Sequence, residues 1–495
     1  VGLKPNYKPE HFAYCGGFGG AKAQLQTLKF RSQTIMSHPI IQAQPPLEFI
    51  PPAFNPLLLR GCQQLLPLWL KYCTSIADIQ AENVETLVEL YRQFQQGKIR
   101  FLMAFRHPNT DDPYCMGHLV WRLVPQVARQ MGISLQYPTH FHAIYDRGIP
   151  LWAGNLVGWL YSQMGGTPII RGKVDRLGLR SARELFSTGM FPMTAAPEGA
   201  TNGHNEIISP LEPGIAQLGF WCAEDLYKDG RSEQVLIVPV GIQYRYVEEP
   251  WDGVDKLLSE LEAESGLQPM YDGSKEQSLT DSSTSSKHTL YLRLIRLGGH
   301  LLAIMEDYYS QFYHKNMPQG AETKELSERL SALLDVALQV AEEYFGLSPK
   351  GTFIDRCRRL EQAGWERIYR EDIKDFDSLS PLERGLADRI AEEANLRMWH
   401  MRLVESFVAV TGKYVQEKPS VERFAETALL LSDMITRIKG GNPFGRPQLG
   451  KQRVRMTVGE PISVSDRWDA YKGSRRLAVA DLTKDLQTAL QGMIV

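Results

Sequence analysis

The segment Arg106-His107-Pro108-Asn109-Thr110-Asp111-Asp112 places a histidine five positions before an aspartate, where an apolar run ends and a helix is due to begin. An imidazole serves as a general base when a carboxylate accepts one of its ring N–H groups. The carboxylate fixes the tautomer and stabilises the cation that forms as the other nitrogen takes a proton. A turn between strand and helix can bring His107 and Asp112 together, and the helix dipole is expected to keep Asp112 ionised. Asp111 is within similar reach, and the spacing does not choose between them.

Further segments carry chemistry downstream. Arg171, Lys173 and Arg176 in IIRGKVDR stand at the end of an expected strand, where a phosphate can be held by charge-assisted hydrogen bonds. In APEGAT, Glu198 is presented on a turn whose Gly199 lets a substrate come close. The apolar stretch Val235–Val240 contains Pro239. A competing arrangement is a metal-dependent hydrolase, because His140 and His142 alternate along an expected strand and so share a face that can join His107, Asp146 and Glu198.

These residues need elements to position them. Short apolar runs predict strands at Phe101–Phe105, Phe141–Tyr145, Thr167–Ile170, Phe191–Ala196 and Val235–Tyr244. Between them, helical periodicity begins with Asn83 as a cap and places Leu87, Leu90, Tyr91 and Phe94 on one face. Asp112 as N-cap and Pro113 at the first helical position mark the next helix. This alternation predicts an α/β fold, a mixed sheet flanked by helices.

After about residue 250 the pattern changes. Ser274–Lys287 reads as a disordered loop, and Thr289 to about Lys439 as a large all-helical insertion. Within it Leu326, Leu330, Leu333, Ala337, Val340 and Tyr344 line one face, and Ser380, Pro381 and Glu383 form a capping box. β character returns at Arg453–Val464, followed by a helix over Val479–Met493. A lone strand and helix cannot make a core, so they are expected to rejoin the first domain. The resulting division is 1–80 as an arm, 81–250 as core, 251–447 as insertion and 448–495 as the completing piece.

The formal net charge of −2 over 495 residues gives no reason to expect nucleic acid as a partner. Six scattered cysteines lack metal-ligand spacing and disulfide density, which predicts a reducing, cytoplasmic setting; no signal peptide, metal or cofactor is expected. Residues 1–50 read as an extended arm rich in Gly, Pro and Gln. Gly148–Ile170 is uncharged but broken by glycines and Pro168, and is read as a buried helix and strand instead of a membrane span. Phe54–Leu70 is apolar around Arg60 and Pro67, a candidate for lying on a bilayer surface.

Taken in order, His107-x4-Asp112, the Arg171 strand end, Pro197-Glu198-Gly199 and Val238-Pro239-Val240 resemble the four-motif signature of the glycerolipid acyltransferase family, which includes lysophosphatidic acid and glycerol-phosphate acyltransferases. The resemblance covers about 80–250 and, through Gly459-Glu460-Pro461-Ile462, about 450–495. It implies that His107 is the base and Asp112 its orienting partner. It further implies that Arg171 contacts phosphate, that Glu198 and Gly199 take part in acceptor binding, and that Pro239 walls the site. The implied donor is acyl-CoA or acyl carrier protein, and the implied acceptor a lysophospholipid or glycerol phosphate at a membrane surface. Arg106 stands where Asn often precedes the histidine, and Ala196 and Ala200 replace the usual Phe and Thr. With those departures, a catalytically silent lipid-binding or scaffold protein is the other expectation.

Overall fold

All seven residues of the strand Ile99–Phe105 are buried, Arg100 included, as only a central strand covered on both faces allows. Arg100 is tolerated there because its guanidinium donates to the carbonyls of Phe186 (2.8 Å) and Gly189 (2.7 Å). The computed structural model describes residues 41–171, 174–268, 282–317, 325–408, 410, 413–443 and 445–494.

The chain order is α1 (Pro56–Cys73), β1 (Ile76–Glu82), α2 (Val84–Gln95), β2 (Ile99–Phe105), α3 (Asp112–His118), α4 (Val124–Gln130), β3 (His142–Asp146), α5 (Ile149–Ala153) and α6 (Asn155–Gln163). Then come β4 (Thr167–Ile169), α7 (Arg176–Thr188), β5 (Met193–Ala195), α8 (Gly214–Lys228) and β6 (Gln234–Tyr246). A run of helices follows: α9 (Trp251–Glu264), α10 (Ser282–Tyr313), α11 (Leu326–Phe345), α12 (Phe353–Ile368), α13 (Pro381–Phe407), α14 (Tyr414–Glu417) and α15 (Val421–Ile438). The chain closes with β7 (Gln452–Val458), β8 (Ile462–Ser463), α16 (Trp468–Gly473) and α17 (Arg475–Gln491).

The strands form one eight-stranded sheet in the order β1-β7-β6-β2-β5-β3-β4, with β8 also on β6. Neighbours run parallel except β6 with β7 and β8, so the sheet is mixed. Alternation along β2 sends Phe101 and Met103 to a core shared with α2 and α3, and Leu102 and Ala104 to one shared with α7, α8 and α17. The helices from α9 to α15 enclose a third core of their own.

Several local expectations need correction. The sheet starts at β1, before residue 81, and the sequence hid this because only Ile76 and Ile79 of that edge strand are buried, too few to alternate visibly. Asn83 holds the N-cap position of α2 but makes no side-chain cap bond: it sits at φ 59° and its amide donates instead to the Val458 carbonyl (3.1 Å). Residue 112 is the first turn of α3, and residue 111 takes the cap position. Helices α5 and α6 are largely solvent-facing, with Leu156 and Trp159 exposed, although their uncharged sequence suggested burial. Of the expected loop, 274–281 falls outside the described residues, while Ser282–Lys287 form the first turns of α10. The expected arm falls outside them up to residue 40.

Candidate active site

In β2, Phe105 pairs with Val240 of β6, and the Arg106 N–H still reaches the Val240 carbonyl (3.0 Å) before the chain leaves the sheet. His107 is therefore the first residue of the turn at the C-terminal edge of the parallel strands, where open α/β sheets form their crevices. Its Nδ1 lies 2.9 Å from Asp112 Oδ2. Asp112 is fully buried and accepts two further bonds, from the Asn109 N–H (2.9 Å) and the Tyr244 hydroxyl (2.6 Å). A carboxylate so supplied with donors is an acceptor toward the ring, so His107 Nδ1 carries the proton and Nε2 holds the lone pair. The imidazole is partly exposed, and no described residue hydrogen-bonds its Nε2. An imidazole so held can act as a base through Nε2.

Asp111, the alternative partner, makes no contact with the ring; burial, with Asp112 beside it, pushes its carboxyl up to about 6. Tyr244 went unnoticed in the sequence. It reaches Asp112 because β6 runs on past the end of β2, and an aromatic in a long strand gives no signal of such a role.

Glu198 is engaged within the protein. Its carboxylate is buried and knits loops together, taking the N–H of His107 (3.0 Å), the N–H of Ser209 (2.9 Å) and the Asn202 amide (2.9 Å). Burial raises its pKa, while Arg106, whose Nε is 3.8 Å away, and the N–H donors oppose that rise. The Arg106 guanidinium is itself fully buried and donates to the carbonyls of His204, Asn205 and Ile207. Arg106 thus ties the turn before His107 to the loop after Glu198.

Gly199 answers a packing demand. Its φ is +73°, and a Cβ there would lie 2.3 Å from Glu212 Oε1. Pro239 sits mid-strand in β6, opposite Ala104 of β2, and its ring is what a Cβ on Gly459 would strike at 2.9 Å.

The Arg171 side chain is occupied by acids. It donates to Asp146, to Glu361 of α12 (3.4 Å) and to the Gly199 carbonyl (2.5 Å). Burial works against its charge, but Glu361, Asp146 and Glu405 outweigh it and raise its pKa. Arg171 and the exposed Arg176 line a cavity of about 310 Å³ together with Arg147, Asp146, Asp175, Glu361, Glu366 and Glu371. Acids outnumber bases on that wall, so the expected phosphate contact requires a carboxylate to give way. Lys173 lies outside the described residues.

The histidines of the metal reading point elsewhere. His140 Nε2 bonds the Met164 carbonyl (2.8 Å) and its Nδ1 accepts from Trp121 Nε1 (3.1 Å), while His142 Nδ1 bonds the Gly165 carbonyl (2.8 Å). Burial lowers the pKa of both, His140 to about 3, and His142 Nε2 is buried without a hydrogen-bond partner. Among the described residues, no group of three His, Cys, Asp or Glu side chains is arranged to hold a metal ion.

Comparison with protein-family models, with curated proteins and with solved structures returned no match.

Proposed function

We propose that the chain is an acyltransferase with a glycerolipid-acyltransferase-like core. It would move a fatty acyl group from a thioester, acyl-CoA or acyl carrier protein, to a hydroxyl of a glycerolipid such as lysophosphatidic acid or of glycerol phosphate. The observation that carries this reading is the 2.9 Å contact between His107 Nδ1 and Asp112, with Nε2 left open. In the reaction His107 Nε2 takes the proton of the acceptor hydroxyl, and the oxygen attacks the thioester carbonyl. The tetrahedral oxyanion then collapses with cleavage of the C–S bond, and the imidazolium returns its proton to the departing thiolate. No acyl-enzyme is needed.

A membrane surface is the proposed setting. Helix α1 buries Leu59, Leu66 and Leu70 but exposes Leu57, Leu65, Leu68, Trp69 and Tyr72 on its other side. Trp69 packs against Tyr114 of α3, the helix that begins at Asp112, so the exposed apolar side adjoins the catalytic helix. No helix among the described residues is long and apolar enough to cross a membrane.

A positioned histidine base contributes roughly 10²–10⁴-fold in rate, so His107→Ala is expected to lose at least ~100-fold in transfer of labelled acyl groups to a panel of lysolipids. Its melting temperature should stay near wild type, because the ring is partly exposed. Equal losses of fold and activity would make the histidine structural. Lipid binding without transfer by the wild-type protein would make the chain a silent scaffold.

A further inference from the structure

Inside the helical block lies a cavity of about 140 Å³ walled by α10, α11, α13, α14 and α15. Its lining is aliphatic and aromatic, with Leu301, Met305, Leu334, Phe407 and Leu431 among the side chains. The few polar atoms on its wall are already engaged: Tyr309 with His400 (2.7 Å), Tyr414 with Glu426 (2.6 Å) and Thr427 with the Arg423 carbonyl (2.8 Å). A pocket of this size with so apolar a lining accepts about six carbons, as an engineered apolar cavity of ~150 Å³ accepts benzene.

The wall also carries Gly298, in the middle of a 32-residue helix. Glycine there weakens a helix relative to alanine. A Cβ at Gly298 would meet no atom within 4 Å, so packing against a neighbour does not require the glycine; what its absence of side chain preserves is space.

The cavity is wired to the catalytic turn. Tyr414 on its wall donates to Glu426 (2.6 Å), and Glu426 accepts from Asn205 (2.6 Å). The carbonyl of Asn205 is held by Arg106, the neighbour of His107, and its side chain accepts the N–H of Tyr244 (2.7 Å), whose hydroxyl holds Asp112. We propose that this cavity receives the methyl end of a fatty acyl chain whose polar end is presented at His107. The inference rests on the acyl-transfer reading for the identity of the chain. The chain can belong to the thioester donor or to the acceptor.

The experiment compares binding of decanoate, decanoyl-CoA and 1-decanoyl-glycerol-3-phosphate by calorimetry to the full chain, its His107→Ala form, Gly298→Ala and Gly298→Phe. Each buried methylene is worth about a fourfold gain in affinity, so Gly298→Phe, which fills three or more methylene positions, should weaken chain binding by at least ~50-fold. Gly298→Ala should change it only a few-fold and serves as the folded reference. Whichever decanoyl compound loses affinity in Gly298→Phe identifies the source of the chain. Undiminished binding of both in a folded Gly298→Phe protein, or no binding of any of the three to wild type, overturns the proposal. Chain binding that persists in wild type and in His107→Ala, without any acyl transfer by wild type, sinks the acyltransferase reading and leaves the cavity assignment standing.

Discussion

Glu426 offers a stability test of how the helical block is joined to the turn that carries His107. Its carboxyl is buried at the junction, and burial pushes its pKa up to about 7 despite the bonds from Tyr414 and Asn205; Glu206 nearby adds to the rise. Arg106 and Tyr246 also feel its charge. In the unfolded chain the same group titrates near ~4.3. Between these values the native state keeps a proton that the unfolded state has released, so stability falls as pH rises through the interval and is level above it. A displacement of about 2.7 units at ~1.36 kcal/mol per unit amounts to roughly 3.7 kcal/mol of stability present well below pH ~4.3 and lost by pH 8, of which roughly 3 kcal/mol disappears between pH 5 and pH 8. Glu426→Gln keeps an acceptor for Asn205 but has no proton to lose. The stability difference between pH 5 and pH 8 should therefore be about 3 kcal/mol smaller in the variant than in wild type, whatever the substitution costs in hydrogen bonding. Urea unfolding followed by tryptophan fluorescence measures this, because Trp251 packs on Phe424 two residues from the site. Parallel pH profiles in the two proteins would show that Glu426 is ionised throughout, and the buried junction would then need another account.

The remaining predictions concern the site itself. Tyr244→Phe removes the hydroxyl that Asp112 Oδ1 accepts and should cost about 1–3 kcal/mol in stability, with a fall in kcat and little change in KM; an unaltered kcat would separate Asp112's orientation from catalysis. Glu361→Gln withdraws a carboxylate from Arg171, so KM for a phosphorylated acceptor should fall several-fold, and a higher KM would remove Arg171 from acceptor binding. Gly199→Ala must place an alanine at φ +73° and push Glu212 aside, which should cost at least ~1–2 kcal/mol; calorimetric melting at the wild-type temperature would contradict this.

What the sequence disclosed and what it withheld follow the range of the interactions. β2 was legible because a central parallel strand is apolar at nearly every position, whereas β1 at the sheet edge has too little to bury. His107 and Asp112 were legible because five residues and one turn separate them, so local chain geometry decides the contact. The acids around Arg171 were not legible, for the opposite reason. Its strand end and its charge were visible, but the acid that engages it, Glu361, is 190 residues away and belongs to the insertion. Asn205 and Glu426 are 221 residues apart, and Gly199 is required by Glu212, a neighbour that only the folded loop provides. A single chain read linearly contains no term for such pairs.

The placement of the insertion is itself a consequence of strand direction. β6 runs parallel to β2, so its end at Tyr246 emerges at the same sheet edge as His107, and β7 returns antiparallel from Gln452, the register partner of Tyr246. The segment between β6 and β7 is therefore carried as an expansion of one β-turn whose mouth opens at the sheet edge that carries His107. Helix α12 meets that edge through Glu361 on Arg171 and Arg358 on Glu212 (3.0 Å), and α15 meets it through Glu426 on Asn205 and Arg423 on Glu206 (2.7 Å). Three of these contacts are ion pairs and the fourth joins the Asn205 amide to the buried Glu426 carboxyl; all are partly or wholly buried. A block attached elsewhere on the sheet would have no geometric reason to touch the residues around His107. Attached at this turn it contacts the residues around His107, so sequence changes in the helices can reach the proposed chemistry through Arg171, Glu212, Asn205 and Glu206 without altering His107 or Asp112.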